Sequence, residues 1–167
     1  LGDVYKRQPF AFQTYDVEPD IMSLAKGIAD GVPMGAVVAK KEIADVFKPG
    51  DHGSTFGGSC LPIAACAATL SALVRGDYAE HAAKVGAYME AKLAKLPHVV
   101  EVRGRGLMLG CDLDDAAGDA HDIVARALAA GVVINATGAH TLRFLPPLVC
   151  EEADVDSLIE ILSGVLG

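Results

Sequence analysis

Three features of the sequence predict an α/β fold: short apolar runs bounded by glycines, long stretches with apolar residues every three or four positions, and alternating strand-like text between them. From Pro9 to about Leu70 the chain is rich in glycine and small residues. There "DIMSLAKG" and "GAVVAKK" read as two short buried strands, with Gly31, Pro33 and Gly35 punctuating the link. "STFGGSCLPIAACAATLSALVRG" predicts a loop opening an alanine-rich helix. Pro62 is tolerable only in its first turn, and Gly76 is its stop.

A second region begins near Asp77. In "YAEHAAKVGAYMEAKLAKL", Ala82, Val85, Met89, Leu93 and Leu96 recur at helical spacing, which predicts an amphipathic helix. "HVVEVRGRGLMLGCDL" reads as two strands around a turn at Gly104 and Gly106. "AHDIVARALAAG" is a second helix ending at Gly131, and "VVINAT" and "HTLRFLP" are strand-like. A last helix buries Val155, Leu158, Ile159, Leu162 and Leu166. Glu151, Glu152 and Asp154 lie in or beside its first turn, where acids favour the helix dipole. This interleaving predicts a small α+β module with a mostly antiparallel sheet.

Composition narrows the function. With 167 residues, half of them hydrophobic, the chain can build a core. Its formal charge of −8, from 22 acids against 14 bases, disfavours nucleic-acid binding, which needs a basic face. Cys60, Cys66, Cys111 and Cys150 form no C-x-x-C pair and read as buried thiols in a reducing compartment. No apolar run reaches the roughly 18 residues of a membrane span, and no secretory signal opens the chain, so the expected location is the cytoplasm. The five histidines share no metal-ligand spacing, and "GRGLMLG" is not a nucleotide fingerprint. The opening "LGDVYKRQ" stands apart. Its Asp3-Val4-Tyr5-Lys6-Arg7-Gln8 text resembles the conceptual translation of a sequencing-library adapter, so residues 1–8 are expected to be non-native.

Three motifs carry chemistry. Lys26, in "SLAKGIADGVPMGAVVA", has Ala25 before it, Gly27 after it and no acid beside it until Asp30. Desolvation disfavours an ammonium, and a neutral amine attacks carbonyls to form a Schiff base, chemistry that suits pyridoxal phosphate. A solvated turn lysine stands as the alternative. "HGSTFGG", residues 52–58, sets hydroxyls and glycines before a helix, where orphan N–H groups and the positive dipole end suit a phosphate; a plain helix cap is the alternative. In "TLRFLPPL", Arg143 alternates with Leu142 and Phe144 and projects from one strand face. It is either a fork for a carboxylate or half of a structural salt bridge.

"VEPDIMSLAKGIADGVPMGAVVA" followed by "HGSTFGGSCLPIAACAA" resembles the class III aminotransferases of the fold-type-I pyridoxal-phosphate enzymes, and among them the acetylornithine branch. The resemblance runs from about Phe10 to the end. It implies the end of a large α/β cofactor-binding domain (9–76) followed by a small α+β C-terminal domain (77–167). It also implies that Lys26 carries pyridoxal 5'-phosphate. Thr55 would bind the cofactor phosphate across a homodimer interface, Ser54 would line the substrate site, and Arg143 would pair with a substrate carboxylate or an enzyme glutamate. Arg103 and Arg105 read as structural. Where the family commonly continues Asn-Pro after the two glycines, this chain has Ser59-Cys60, and Ser59 is expected to cap the helix.

The implied reaction moves an amino group from N-acetylornithine, or a similar ω-amino donor, to 2-oxoglutarate in arginine biosynthesis. Ornithine δ-aminotransferase, ω-transaminase and dialkylglycine decarboxylase chemistries stay open, as does a non-catalytic interaction module. The family's pyridinium-pairing aspartate lies upstream of the lysine, beyond the readable text, so the chain by itself is expected to be inactive.

Overall fold

The computed structural model describes residues 10–167, and the expectation for residues 1–8 lies outside them. The described residues divide into two compact units, residues 10–77 and Tyr78–Gly167.

In the first unit, a 3-10 turn at Ala11–Tyr15 precedes an antiparallel hairpin of β1 (Ile21–Leu24) and β2 (Ala36–Ala39), with Leu24 opposite Ala36. The connection carries a 3-10 turn at Lys26–Ala29. A single helical turn, α1 (Lys41–Ala44), and a long loop lead to α2 (Cys60–Arg75), with Pro62 in its first turn and Gly76 at its C-cap. Ile28, Ala29 and Cys66 form the buried centre, with Leu24, Met34 and Ala36 packed around it. The strands were expected to be buried, but Ile21, Val37 and Val38 are more than half exposed. The hairpin has only two strands and packs on a small buried cluster, so neither face of β2 is covered along its whole length: Val37 and Val38, on opposite faces, both stay open. Cys60, expected to pack, is exposed on the first turn of α2, and only Cys66 turns inward.

The second unit is a four-stranded, wholly antiparallel sheet backed by three helices. It contains α3 (Tyr78–Leu93), β3 (Val99–Arg105), β4 (Met108–Leu113), α4 (Ala120–Ala129), β5 (Asn135–Ala136), β6 (Thr141–Phe144) and α5 (Glu152–Leu166), with strand order β3-β4-β6-β5. The predicted stripe of α3 is buried throughout, from Ala82 to Leu96. It meets Leu109, Cys111, Leu142 and Phe144 from the sheet, Ile123 from α4, and Val155 and Leu162 from α5. Leu158 and Ile159 are only half-buried, because the apolar arc of α5 is wider than its contact. Lys84 to Glu152 and Lys92 to Asp156, both 2.9 Å, tie α3 to α5 at the surface, where such pairs add little.

Two strand expectations shift. Gly104 was placed in the β3–β4 turn, yet it stays in the ladder opposite Leu109. Its φ of +147° brings a would-be β-carbon to 2.1 Å from the Met108 carbonyl oxygen, so no side chain fits there. "VVINAT" pairs only over Asn135–Ala136, because Val132 and Val133 belong to the turn leaving α4 and Val133 is solvent-exposed.

Candidate functional site

Lys26 lies two residues past the end of β1 and opens the Lys26–Ala29 turn with φ +58°. The other non-glycine residues with positive φ among those described are Asp16, Asp30 and His98, types that enter the left-handed region more readily. A lysine there costs on the order of 1–2 kcal/mol. The next residues hold it in place: Ile28 is 2% and Ala29 1% exposed, and both pack against Cys66 of α2. The Asp30 N–H donates to the Gly27 carbonyl at 3.4 Å and closes the turn, and the Val32 N–H donates to the Ala29 carbonyl at 3.1 Å just after it. Backbone strain held by a packed anchor is a mark of functional positions.

Among the described residues, none encloses the Lys26 amine. Lys26 is exposed, and the reason is local: Ala25 and Gly27 are too small to cover it, while the bulky neighbour Ile28 points the other way. The amine is presented to solvent on a rigid base.

Ser54 and Thr55 sit in the exposed loop before α2, in a turn closed by the Gly57 N–H donating to the Ser54 carbonyl at 3.2 Å. Ser59 occupies the N-cap position but does not cap. Its hydroxyl donates to the Phe56 carbonyl at 2.8 Å, so no side chain caps the first N–H groups of α2. Hydroxyls beside an uncapped helix start suit a phosphate. The helix that begins after Ser54 and Thr55 is the one that packs on the Lys26 turn, and so the first unit carries both elements on one small core.

Arg143 lies on β6 of the second unit between buried Leu142 and Phe144, and it projects from the sheet's open face as the alternation predicts. Among the described residues it has no ion-pair or hydrogen-bond partner, so the structural-salt-bridge alternative has no counterpart there. Arg103 is the structural one. It pairs with Asp112 on β4, and Thr141 on β6 donates to the same carboxylate at 2.6 Å. This pairing, with Arg103 first and Thr141 second, holds the Asp112 carboxyl below its ordinary range. The sequence reading did not single out Asp112 or Thr141. The signal was present in the two-residue period of β4 and β6, which puts both on the face of Arg143.

Three histidines have partners within the chain. His81 meets the Cys150 carbonyl at 2.8 Å, His98 pairs with Asp114 and His121 with Asp119. Among the described residues no group of three histidine, cysteine, aspartate or glutamate side chains is arranged to hold a metal, and no single helix is long and apolar enough to cross a membrane.

Comparison with known proteins fits this geometry. Residues 8–166 match the family model for class-III aminotransferases. The chain is 45% identical over 161 residues to acetylornithine aminotransferase of Caldanaerobacter subterraneus subsp. tengcongensis, covering 94% of this chain and 40% of that protein. Among solved structures it resembles the acetylornithine aminotransferase of Elizabethkingia anophelis (30% identity, TM-score 0.86, 96% of this chain and 42% of that one). It likewise resembles the ornithine aminotransferase of Toxoplasma gondii (32% identity, TM-score 0.86, 96% and 39%). The chain thus spans about two fifths of the length of the relatives it matches. With nearly every residue inside the match, and an α/β fold shared with solved members, the chain belongs to the class III aminotransferase family.

Proposed function

We propose that the enzyme containing this chain is a pyridoxal-phosphate-dependent transaminase that moves an amino group from N-acetylornithine, or a similar ω-amino donor, to 2-oxoglutarate, a step of arginine biosynthesis. The observation that carries the proposal is Lys26: an exposed amine in a strained backbone conformation, anchored from behind by Ile28 and Ala29. The residues fit the group. The Lys26 amine is accessible to its aldehyde, and the hydroxyls of Ser54 and Thr55 beside an uncapped helix suit its phosphate.

Pyridoxal phosphate, when bound, supplies an aldehyde that condenses with amines and a ring that accepts the electron pair released at the substrate carbon. Lys26 Nζ would hold the group and would move the proton at the substrate carbon. Thr55 donates to the phosphate and Ser54 orients the substrate. Arg143 pairs its planar fork with a substrate carboxylate. We assign Thr55 and Ser54 to the active site of the opposite subunit of a homodimer. Exposed Phe56 and Leu61, which follow Thr55, support that reading as apolar surface for a partner to cover. We assign residues 9–76 to the large domain, 77–167 to the small one, and the enzyme to the cytoplasm.

Borohydride reduction of the cofactor-loaded enzyme tests the proposal. A pyridoxyl mass is expected on the peptide that contains Lys26 and is lost in Lys26→Ala; an unlabelled peptide overturns it. Structural likeness to ornithine aminotransferase favours a second reading, in which free ornithine is the donor. Comparing kcat/KM for ornithine and N-acetylornithine decides between the two.

A further inference from the structure

Arg143 and Arg103 emerge on the same open face of the four-stranded sheet but differ in company. Strand β6 pairs with β4 so that Arg143 faces Gly110 and Thr141 faces Asp112. From the other side, β3 sets Arg103 opposite the same Gly110. Asp112 is therefore one diagonal step from both arginines, within reach of a long side chain from either strand. Arg103 holds it: its Nη1 donates to Asp112 Oδ2, while Thr141 Oγ1 donates to Oδ1 at 2.6 Å.

Both carboxylate oxygens are thus engaged, and Arg103 runs beside Gly110 to reach Asp112. Arg103 Cγ and Cζ lie 3.8 and 4.0 Å from where a β-carbon at 110 would sit, so Arg103 passes over a residue without a side chain. The cross-strand neighbours left to Arg143, Gly110 and Asn135, are uncharged. Glu101, another acid on this face, stands on β3, two strands and about 10 Å from β6.

We propose that Arg103 is a positioning residue: together with Thr141 it occupies Asp112, keeps that carboxylate from capturing Arg143, and leaves the Arg143 guanidinium open to the carboxylate of a substrate. The inference rests on the reading of Arg143 as substrate clamp. If Arg103 is lost, Asp112 becomes an internal competitor for the site.

Steady-state kinetics of the full-length enzyme, varying 2-oxoglutarate, with glutarate as an inert dicarboxylate competitor, tests this. Arg103→Met is expected to raise KM for 2-oxoglutarate and Ki for glutarate together by about fivefold, the upper end of what an exposed cross-strand ion pair withholds, with kcat within about twofold. Arg103→Lys, which still occupies Asp112, keeps both constants near wild type, and Arg103→Met/Asp112→Asn restores them. An unchanged KM in Arg103→Met, or a double variant no better than the single one, overturns the inference. Arg143→Met separates the two readings. A large rise in KM there with none in Arg103→Met sinks the role of Arg103 alone, whereas no rise in Arg143→Met sinks the clamp itself and Arg103's role with it.

Discussion

Gly86 and Gly164 both lie in helices, α3 and α5, and replacing each with alanine should move stability in opposite directions. Helix propensity alone predicts a gain of roughly 1 kcal/mol for either, since alanine loses less backbone freedom on folding. At Gly164 nothing lies within 4 Å of the new β-carbon, so that gain stands at about 0.5–1 kcal/mol. At Gly86 the β-carbon would sit 2.1 Å from the Gly106 carbonyl oxygen and 2.4 Å from its carbon. Ordinary contact needs about 3.5 Å, so α3 must back away from the β3–β4 turn by more than about 1 Å. It carries Val85, Met89 and Leu93 with it, each no more than 1% exposed.

Overpacking costs roughly 1–3 kcal/mol. The upper half of that range applies here, because the obstacle is backbone and cannot swing aside. Set against the propensity gain, Gly86→Ala should destabilise by about 1–2 kcal/mol. Urea titration followed by far-UV circular dichroism reads this directly. With m of about 1–3 kcal/mol/M, the midpoint should fall by roughly 0.5–1 M for Gly86→Ala and rise slightly for Gly164→Ala, with m unchanged. A midpoint for Gly86→Ala at or above wild type would refute the close approach of helix and turn.

Two further outcomes test the polar face and the thiols. Because the folded-state pKa of Asp112 is depressed, first by Arg103 and then by Thr141, its contribution to stability is full above the unfolded value of 3.8 and is lost as pH falls through the lower folded value. Asp112→Asn should therefore flatten the acid limb of the stability–pH curve below about pH 4; an unaltered limb contradicts the pairing. Burial pushes the Cys111 thiol up to about 12, and Cys66 and Cys150 are also buried, whereas Cys60 is exposed. Iodoacetamide under native conditions should spare Cys111 until denaturant is added, as peptide mass spectrometry would show.

The helices were legible because their burial is set by one periodic contact. Each of Ala82, Val85, Met89, Leu93 and Leu96 meets the sheet or its neighbours at the spacing that predicted it. Strands were less so. The run "GAVVA" has the composition of a fully covered strand, yet in a two-stranded hairpin Val37 and Val38 keep more than half their surface. Periodicity states which residues can share a face; whether a second layer covers that face depends on residues elsewhere. The Lys26 turn shows the same limit at the level of one bond. With glycine at 27, sequence logic would assign a left-handed conformation to Gly27, but the positive φ falls on Lys26, because the packing of Ile28 and Ala29 fixes where the turn must start.

The arginines show why a candidate site is harder to read than a fold. Arg103 and Arg143 both sit in strands and alternate with neighbours on the opposite face, so residue type and period cannot tell a structural cation from one available to a ligand. What separates them is register and pairing: Asp112 falls opposite Thr141, one diagonal step from both arginines, and Arg103 is the one that pairs with it. A one-residue slip of β6 would turn Arg143 into the core and leave Asp112 facing a different partner. Register is set by the whole sheet, by the turn at Gly106 and the buried row of Leu109, Cys111, Leu142 and Phe144, and by none of the residues that do the chemistry. An exposed arginine on this face acquires its meaning from the core beneath it.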